Sequence, residues 1–238
     1  MTSPDWQLVD GAALGDPAAA LSPDERAAAA AFAADKRRHD WVLGRMAAKA
    51  AVRALLQREG RPAPPPADVV IEASPTGAPC VRPLDDGDPI VVSISHGHGL
   101  AAGWALRAGP RGGLPGIDLE RIRPRKEGTL RFYLTPEERH GVLALPAGSD
   151  DQAGPRDDLA VRLWALKEAA FKALRPPRGM GLLDVRAAVD EVGGAQVSYA
   201  GRLLERAQAL GARDVRARWT RQGDLCVAWV EVVGASAV

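Results

Sequence analysis

Two carboxylates stand two residues apart in Gly116-Ile117-Asp118-Leu119-Glu120. Side chains alternate along an extended chain, so Asp118 and Glu120 share one face while Ile117 and Leu119 share the other. Like charges on one face repel unless water or a cation lies between them. The pair suits an exposed edge strand that uses charge against aggregation, or an oxygen site for a hard cation. A third carboxylate lies in Trp164-Ala165-Leu166-Lys167-Glu168-Ala169-Ala170-Phe171-Lys172. Helix breakers are scarce there, and Leu159, Leu163, Leu166, Ala170 and Leu174 recur at helical spacing. Trp164, Glu168 and Lys172 fall at i, i+4 and i+8; each step of four turns only about 40°, so they project to one side. Alone, this is an ordinary Glu–Lys surface pair. Taken together, Asp118, Glu120 and Glu168 could supply three oxygen ligands to Mg²⁺, with water and substrate phosphates completing the octahedron.

Several elements must position these groups. Ser22-Pro23-Asp24-Glu25 is a capping box with proline at the first helical position, opening a short helix to about residue 34. A second helix is predicted over residues 36–56, with Trp41, Ala48, Val52 and Leu55 as its apolar stripe. Arg37 and Arg45 flank Trp41 at i−4 and i+4, with Arg38 and Lys49 nearby. This is either a solvated basic face or a clamp in which arginine forks grip a phosphate. Residues 61–66 form a proline-rich loop, Val69-Val70-Ile71 a short strand, and Ser74-Pro75-Thr76-Gly77-Ala78-Pro79 a turn. Residues 90–95 read as a buried strand that delivers Ser95 and His96 to the turn Gly97-His98-Gly99, with residues 100–106 returning as its partner. A hydroxyl, an imidazole and free N–H groups at one strand end suit phosphate binding; a loop histidine without a role is the alternative. The glycine- and proline-rich residues 107–115 mark a boundary between a half spanning 1–110 and a half spanning 111–238. Thr135-Pro136-Glu137-Glu138 is a second capping box, starting a helix to about residue 145. Residues 146–158 form a polar loop. The carboxylate-bearing helix stops before Pro176-Pro177. The remainder reads as strands, clearest at 215–220 and 225–233. No repeat is evident by eye, and the pattern supports an α+β protein with antiparallel pairing.

Composition narrows the function. The chain has 238 residues, 46% hydrophobic, enough for a core. Basic and acidic residues nearly balance at +1, against the basic excess of a general nucleic-acid binder. Cys80 and Cys226 form no metal pattern and suit small apolar packing in a reducing cytoplasm. No signal peptide and no membrane-spanning run is expected.

Gly-Ile-Asp-x-Glu at 116–120 followed by Trp-x-x-Lys-Glu-Ala-x-x-Lys at 164–172 resembles the 4′-phosphopantetheinyl transferases, of the larger surfactin-synthetase-activating type. Ser93-Ile94-Ser95-His96 resembles the Ser-x-Ser-His strand end of that family, and Arg37-Arg38-His39-Asp40-Trp41-Val42-Leu43-Gly44-Arg45 its basic helix ending in Gly-Arg. Four motifs in order, over about residues 36–181, are far more specific than any one of them. The chain departs from the family at Ala78, where a lysine is usual, and at Arg175, where a glycine is usual.

The resemblance implies a pseudo-two-fold monomer of two similar halves, each a small antiparallel sheet with helices, and a site between them. It implies transfer of the phosphopantetheine arm of coenzyme A to a serine of apo acyl or peptidyl carrier proteins, with release of 3′,5′-ADP. Asp118, Glu120 and Glu168 would hold Mg²⁺; Glu168 would take the serine proton, directly or through a water; Lys172 would stabilise the leaving phosphate. Arg37 and Arg45 would hold the 3′-phosphate, with Thr76, Ser95, His96, Asp118 and Lys172 also toward the coenzyme. Carrier proteins of this kind are acidic, so a basic docking surface is expected, with Arg121-Ile122-Arg123-Pro124-Arg125-Lys126 leading to Phe132 as the candidate. Two other readings use the same residues: a Mg²⁺-dependent nucleotide pyrophosphatase with water as nucleophile, and a non-catalytic coenzyme-A-binding, carrier-docking module. A binding module has no need of Asp118, Glu120, Glu168 and Lys172 together.

Overall fold

The structure is a computed structural model and describes residues 5–13, 15–74, 77–84, 87–109 and 112–235. Its strands are β1 (Gln7–Asp10), β2 (Ile71–Ala73), β3 (Pro79–Val81), β4 (Ile90–Gly97), β5 (Leu100–Arg107), β6 (Gly113–Arg121), β7 (Val185–Val189), β8 (Gly194–Tyr199), β9 (Asp214–Gln222) and β10 (Leu225–Val233). Its helices are α1 (Pro23–Ala30), α2 (Asp35–Arg58), α3 (Glu127–Leu130), α4 (Pro136–Leu143), α5 (Pro155–Leu174) and α6 (Gly201–Ala209). The strands form two antiparallel five-stranded sheets, ordered β1-β5-β4-β3-β2 and β6-β10-β9-β8-β7. Position for position, these are the same strand order. In each, a first strand is followed by a long helix, α2 or α5, and then by four strands. The α+β fold of two similar halves is therefore present.

The likeness extends to side chains. In the first sheet's half, Ser22 caps α1 and Glu25 returns to the Ser22 N–H. Glu25 then pairs with Lys49 of α2 at 2.6 Å and accepts from the Ile71 N–H of β2 at 3.2 Å. In the other half, Thr135 caps α4 and Glu138 returns to the Thr135 N–H. Glu138 pairs with Lys167 of α5 at 2.5 Å and accepts from the Ala187 N–H of β7 at 2.8 Å. Both lysines are almost wholly buried, at 1% and 0% exposure, and both spend further protons on carbonyls: Lys49 on Pro66 and Val69, Lys167 on Tyr133. A buried ammonium is tolerated only when paired and hydrogen-bonded, and the same solution occurs twice. The repeat lies in capping box plus distant lysine, which is why scanning for contiguous similarity misses it.

Helix α2 turns Leu43, Ala47, Ala48, Ala51 and Val52 inward. Trp41 is only half-buried, packing on Phe32, so it lies beside the apolar stripe rather than in it. Helix α5 starts at Pro155, earlier than expected, because Gly154 serves as N-cap and the Asp157 carboxylate accepts from the Gly154, Gly148 and Arg125 N–H groups. These bonds pin residues that read as loop. Strand β1 and helix α6 were not singled out in the sequence. A close approach joins α5 to β6: a Cβ on Gly116 would lie 1.8 Å from the Ala169 carbonyl oxygen, so only glycine lets the strand carry its carboxylates this near the helix. A third apolar cluster, including Trp6, Ala102, Trp104, Ile117, Leu119, Leu225 and Val227, ties the two sheets together.

Candidate active site

Strand β6 is an edge strand of its sheet, but not an exposed one. Its outward N–H groups meet β4, where Ile117 N–H donates to Ser93 Oγ at 3.0 Å and Leu119 N–H to Ser95 Oγ at 3.2 Å. Serine hydroxyls thus take the place of a neighbouring strand's carbonyls. Ile117 and Leu119 enter the apolar cluster between the sheets, which leaves Asp118 and Glu120 facing α5. Period-two alternation predicts this division.

Asp118 is 4% exposed. Its Oδ1 accepts from Lys172 Nζ at 2.7 Å and from Ser95 Oγ at 2.8 Å, while Oδ2 is buried with no hydrogen-bond partner among the described residues. Lys172 also reaches the Ile117 carbonyl at 3.3 Å. Glu120 accepts from Trp164 Nε1 at 3.1 Å on one oxygen and from Arg125 at 3.0 Å on the other. Trp164 is braced edge-on by Tyr133, ring centroids 4.8 Å apart. Burial, the largest cause, and then the Asp118 charge push the Glu168 carboxyl above the ordinary glutamate range, while Lys172 pulls the other way. That is the direction a proton acceptor needs. Ser95, His96, Asp118, Glu120, Trp164, Glu168 and Lys172 line one open cleft of about 360 Å³. The i, i+4, i+8 set of α5 faces it, as spacing predicts.

His96 lies over α2, where a Cβ on Gly44 would come 3.2 Å from its ring. Burial lowers its pKa, so the imidazole favours the neutral form, with Asp40 opposing and Lys172 and Lys36 reinforcing. Arg37 is exposed on the first turns of α2. Arg45 stacks on Trp41 at 4.5 Å, and its Nε is buried without a hydrogen-bond partner among the described residues. Neither arginine lines the cleft itself. Thr76 lies outside the described residues. Arg175 takes a left-handed conformation, φ 46°, that favours glycine, and its guanidinium donates to the Val92 carbonyl of β4 at 3.0 Å, tying the end of α5 to the first sheet. Helical spacing put Trp164 on the side of Glu168 and Lys172 without giving it a role, and sequence reasoning did not bring Arg125 to the site. Arg125 carries no local signal of this kind, because its contact depends on the path after β6.

Among the described residues, no group of three or more His, Cys, Asp or Glu stands gathered as a metal site. Lys172 sits on Asp118 and Arg125 on Glu120, each where a cation would compete for oxygen. The donor set nonetheless fits a hard cation: three carboxylates line the cleft, and one Asp118 oxygen is desolvated and unpaired. An unpaired buried oxygen costs about 1–3 kcal/mol, which a bound cation would relieve.

Residues 115–229 match the 4′-phosphopantetheinyl transferase superfamily. The chain is 30% identical to the 4′-phosphopantetheinyl transferase Svp of Streptomyces mobaraensis over 237 residues, covering 96% of this chain and 87% of that protein. Similarity to solved structures is more distant. The holo-[acyl-carrier-protein] synthase of Thermotoga maritima is 20% identical with a TM-score of 0.39, covering 50% of this chain, which spans 62% of it. An acyl carrier protein synthase of Plasmodium yoelii with ADP bound is 18% identical with a TM-score of 0.42, over 52% of this chain and 96% of that one. With an identity of that level across nearly its whole length, the chain belongs to the 4′-phosphopantetheinyl transferase superfamily, and is a transferase.

Proposed function

We propose that this enzyme transfers the 4′-phosphopantetheine arm of coenzyme A to a serine of apo acyl or peptidyl carrier proteins, in fatty-acid, polyketide or nonribosomal peptide synthesis, and releases 3′,5′-ADP. The observation that carries the reading is the cleft where Asp118, Glu120, Glu168 and Lys172 converge beside Ser95 and His96 in a chain of this family. Asp118, Glu120 and Glu168 would hold Mg²⁺, whose charge would offset that building on the pyrophosphate. Glu168 takes the serine proton, its raised pKa making it a better acceptor than a surface carboxylate. Lys172 stabilises the departing phosphate. Arg37 and Arg45 bind the 3′-phosphate, the flat Trp41 ring holding the Arg45 guanidinium in place. His96, over α2 and with burial favouring its neutral form, contacts the coenzyme from the strand side, and we assign Thr76 to the coenzyme as well. We assign residues 1–110 to the coenzyme-clamping half and 111–238 to the half with the carboxylates, in a cytoplasmic monomer.

The docking surface needs one revision from the sequence reading. Ile122 is buried, Arg121 pairs with Asp224 at 2.6 Å, and Arg125 is committed to Glu120. Arg123 and Lys126 remain exposed, as does Phe132 at 66%, with Arg131 stacked on it at 4.9 Å. We assign carrier docking to Arg123, Lys126, Arg131 and Phe132.

Intact-mass spectrometry of a panel of apo carrier proteins, incubated with coenzyme A and Mg²⁺, tests the reading. A transferase adds the arm to the carrier. Split coenzyme with an unmodified carrier would indicate a pyrophosphatase, and no change in either a binding module.

A further inference from the structure

Ser95 belongs to the motif that the family resemblance directs toward the coenzyme, yet its hydroxyl is already engaged on both sides. A serine hydroxyl has one proton. Here it is donated to Asp118 Oδ1 at 2.8 Å, while the oxygen accepts from Leu119 N–H at 3.2 Å. The residue is 6% exposed. Lys172 joins Ser95 on the same Asp118 oxygen, and the other oxygen has no partner among the described residues. Two donors on one oxygen fix the rotation of the carboxylate and decide which oxygen stays open. Ser93, two residues earlier, makes the same bond to the β6 backbone, through Ile117 N–H at 3.0 Å. Covering the strand edge therefore does not account for the bond from Ser95 to the carboxylate.

We propose that Ser95 is a positioning residue: it holds Asp118 by one oxygen so that the other is presented to the cation. This rests on the reading of Asp118 as a cation ligand. Removing the hydroxyl would leave Lys172 as the only side-chain donor to Asp118 among the described residues and free the carboxylate to turn. Outer-sphere partners of this kind set metal affinity by about 10–100-fold.

The test is Mn²⁺ titrated into the protein saturated with coenzyme A, followed by electron paramagnetic resonance, beside calorimetry of coenzyme A binding in EDTA. Ser95→Ala should weaken Mn²⁺ binding by about 10–100-fold, a loss larger than any change in coenzyme A affinity in EDTA. Ser95→Thr, which keeps the hydroxyl, should restore Mn²⁺ binding. Ser93→Ala removes an edge bond without touching a carboxylate and should bind Mn²⁺ as the wild type does, which separates positioning from a general loss of stability. Unchanged Mn²⁺ affinity in Ser95→Ala, with Asp118→Asn impaired, would overturn the positioning role alone. Unchanged Mn²⁺ affinity in Asp118→Asn would overturn the ligand reading and the positioning role with it.

Discussion

At the scale of the residue, Asp118 is the most constrained group in the cleft: buried, held on one oxygen and open on the other. Asp118→Ala and Glu120→Ala should abolish transfer mainly through kcat, because a cation held there acts most on charge that develops in the transition state. The two variants are not equal in structural risk. Glu120→Ala leaves Arg125 and Trp164 without their acceptor, so circular dichroism and a melting curve must accompany its kinetics. Near-full activity in either, at limiting Mg²⁺, would remove that residue from the ligand set. Arg37→Ala and Arg45→Ala should raise the KM for coenzyme A by the equivalent of about 1.5–3 kcal/mol, the worth of a charge-assisted bond, and change the KM for dephospho-coenzyme A far less. Equal effects on both substrates would place the 3′-phosphate elsewhere. Much of this was legible in the sequence, because strand and helix periods decide facing: Asp118 with Glu120, and Trp164 with Glu168 and Lys172. The Ser95–Asp118 bond spans 23 residues between two sheets, and no local period reports such a contact.

At the scale of the element, two buried lysine–glutamate pairs fasten the long helices to their short capped neighbours. Removing one partner strands a charge in the interior, so Glu25→Ala and Glu138→Ala should each cost about 3–5 kcal/mol. Urea unfolding measures both. A loss below about 1 kcal/mol, typical of a surface pair, would show the lysines escaping to water. Lys167 sits in the same motif as Glu168 yet turns into the core, onto Glu138 and the Tyr133 carbonyl, and so its part is structural. Both capping boxes were readable in advance, since Ser/Thr-Pro-acid-Glu has a local mechanism. Their lysine partners were not, because each lies tens of residues away. Strand β1 escaped notice because four residues give alternation too little length to register, and the start of α5 because glycine is a weaker N-cap signal than serine.

At the scale of the molecule, the cleft lies where β6 of one sheet meets the face of β4 in the other, so its chemistry depends on both halves. A net charge of +1 gives no general attraction for an acidic partner, and docking must be local. Reversing Arg123 and Lys126 to glutamate should raise the KM for an acidic carrier at low salt. The defect should shrink as salt rises, since exposed charges are screened within roughly 10 Å at 0.1 M; coenzyme A binding should not change. An unaltered carrier KM at low salt would clear this face of a docking role. The two-fold plan was implied by family resemblance rather than by visible repetition, because the halves share strand order and buried pairs but little contiguous sequence. The central claim is that Glu168, at the meeting of the halves, takes the proton of the carrier serine. The direct measurement is single-turnover transfer to an apo carrier, followed by intact mass, for wild type and Glu168→Gln, with saturating coenzyme A, a Mg²⁺ titration for each, and coenzyme binding measured in parallel. At saturating Mg²⁺ the account predicts coenzyme affinity within a few-fold and a transfer rate lower by about 10²–10⁴-fold, the worth of a positioned base; an undiminished transfer rate would contradict it.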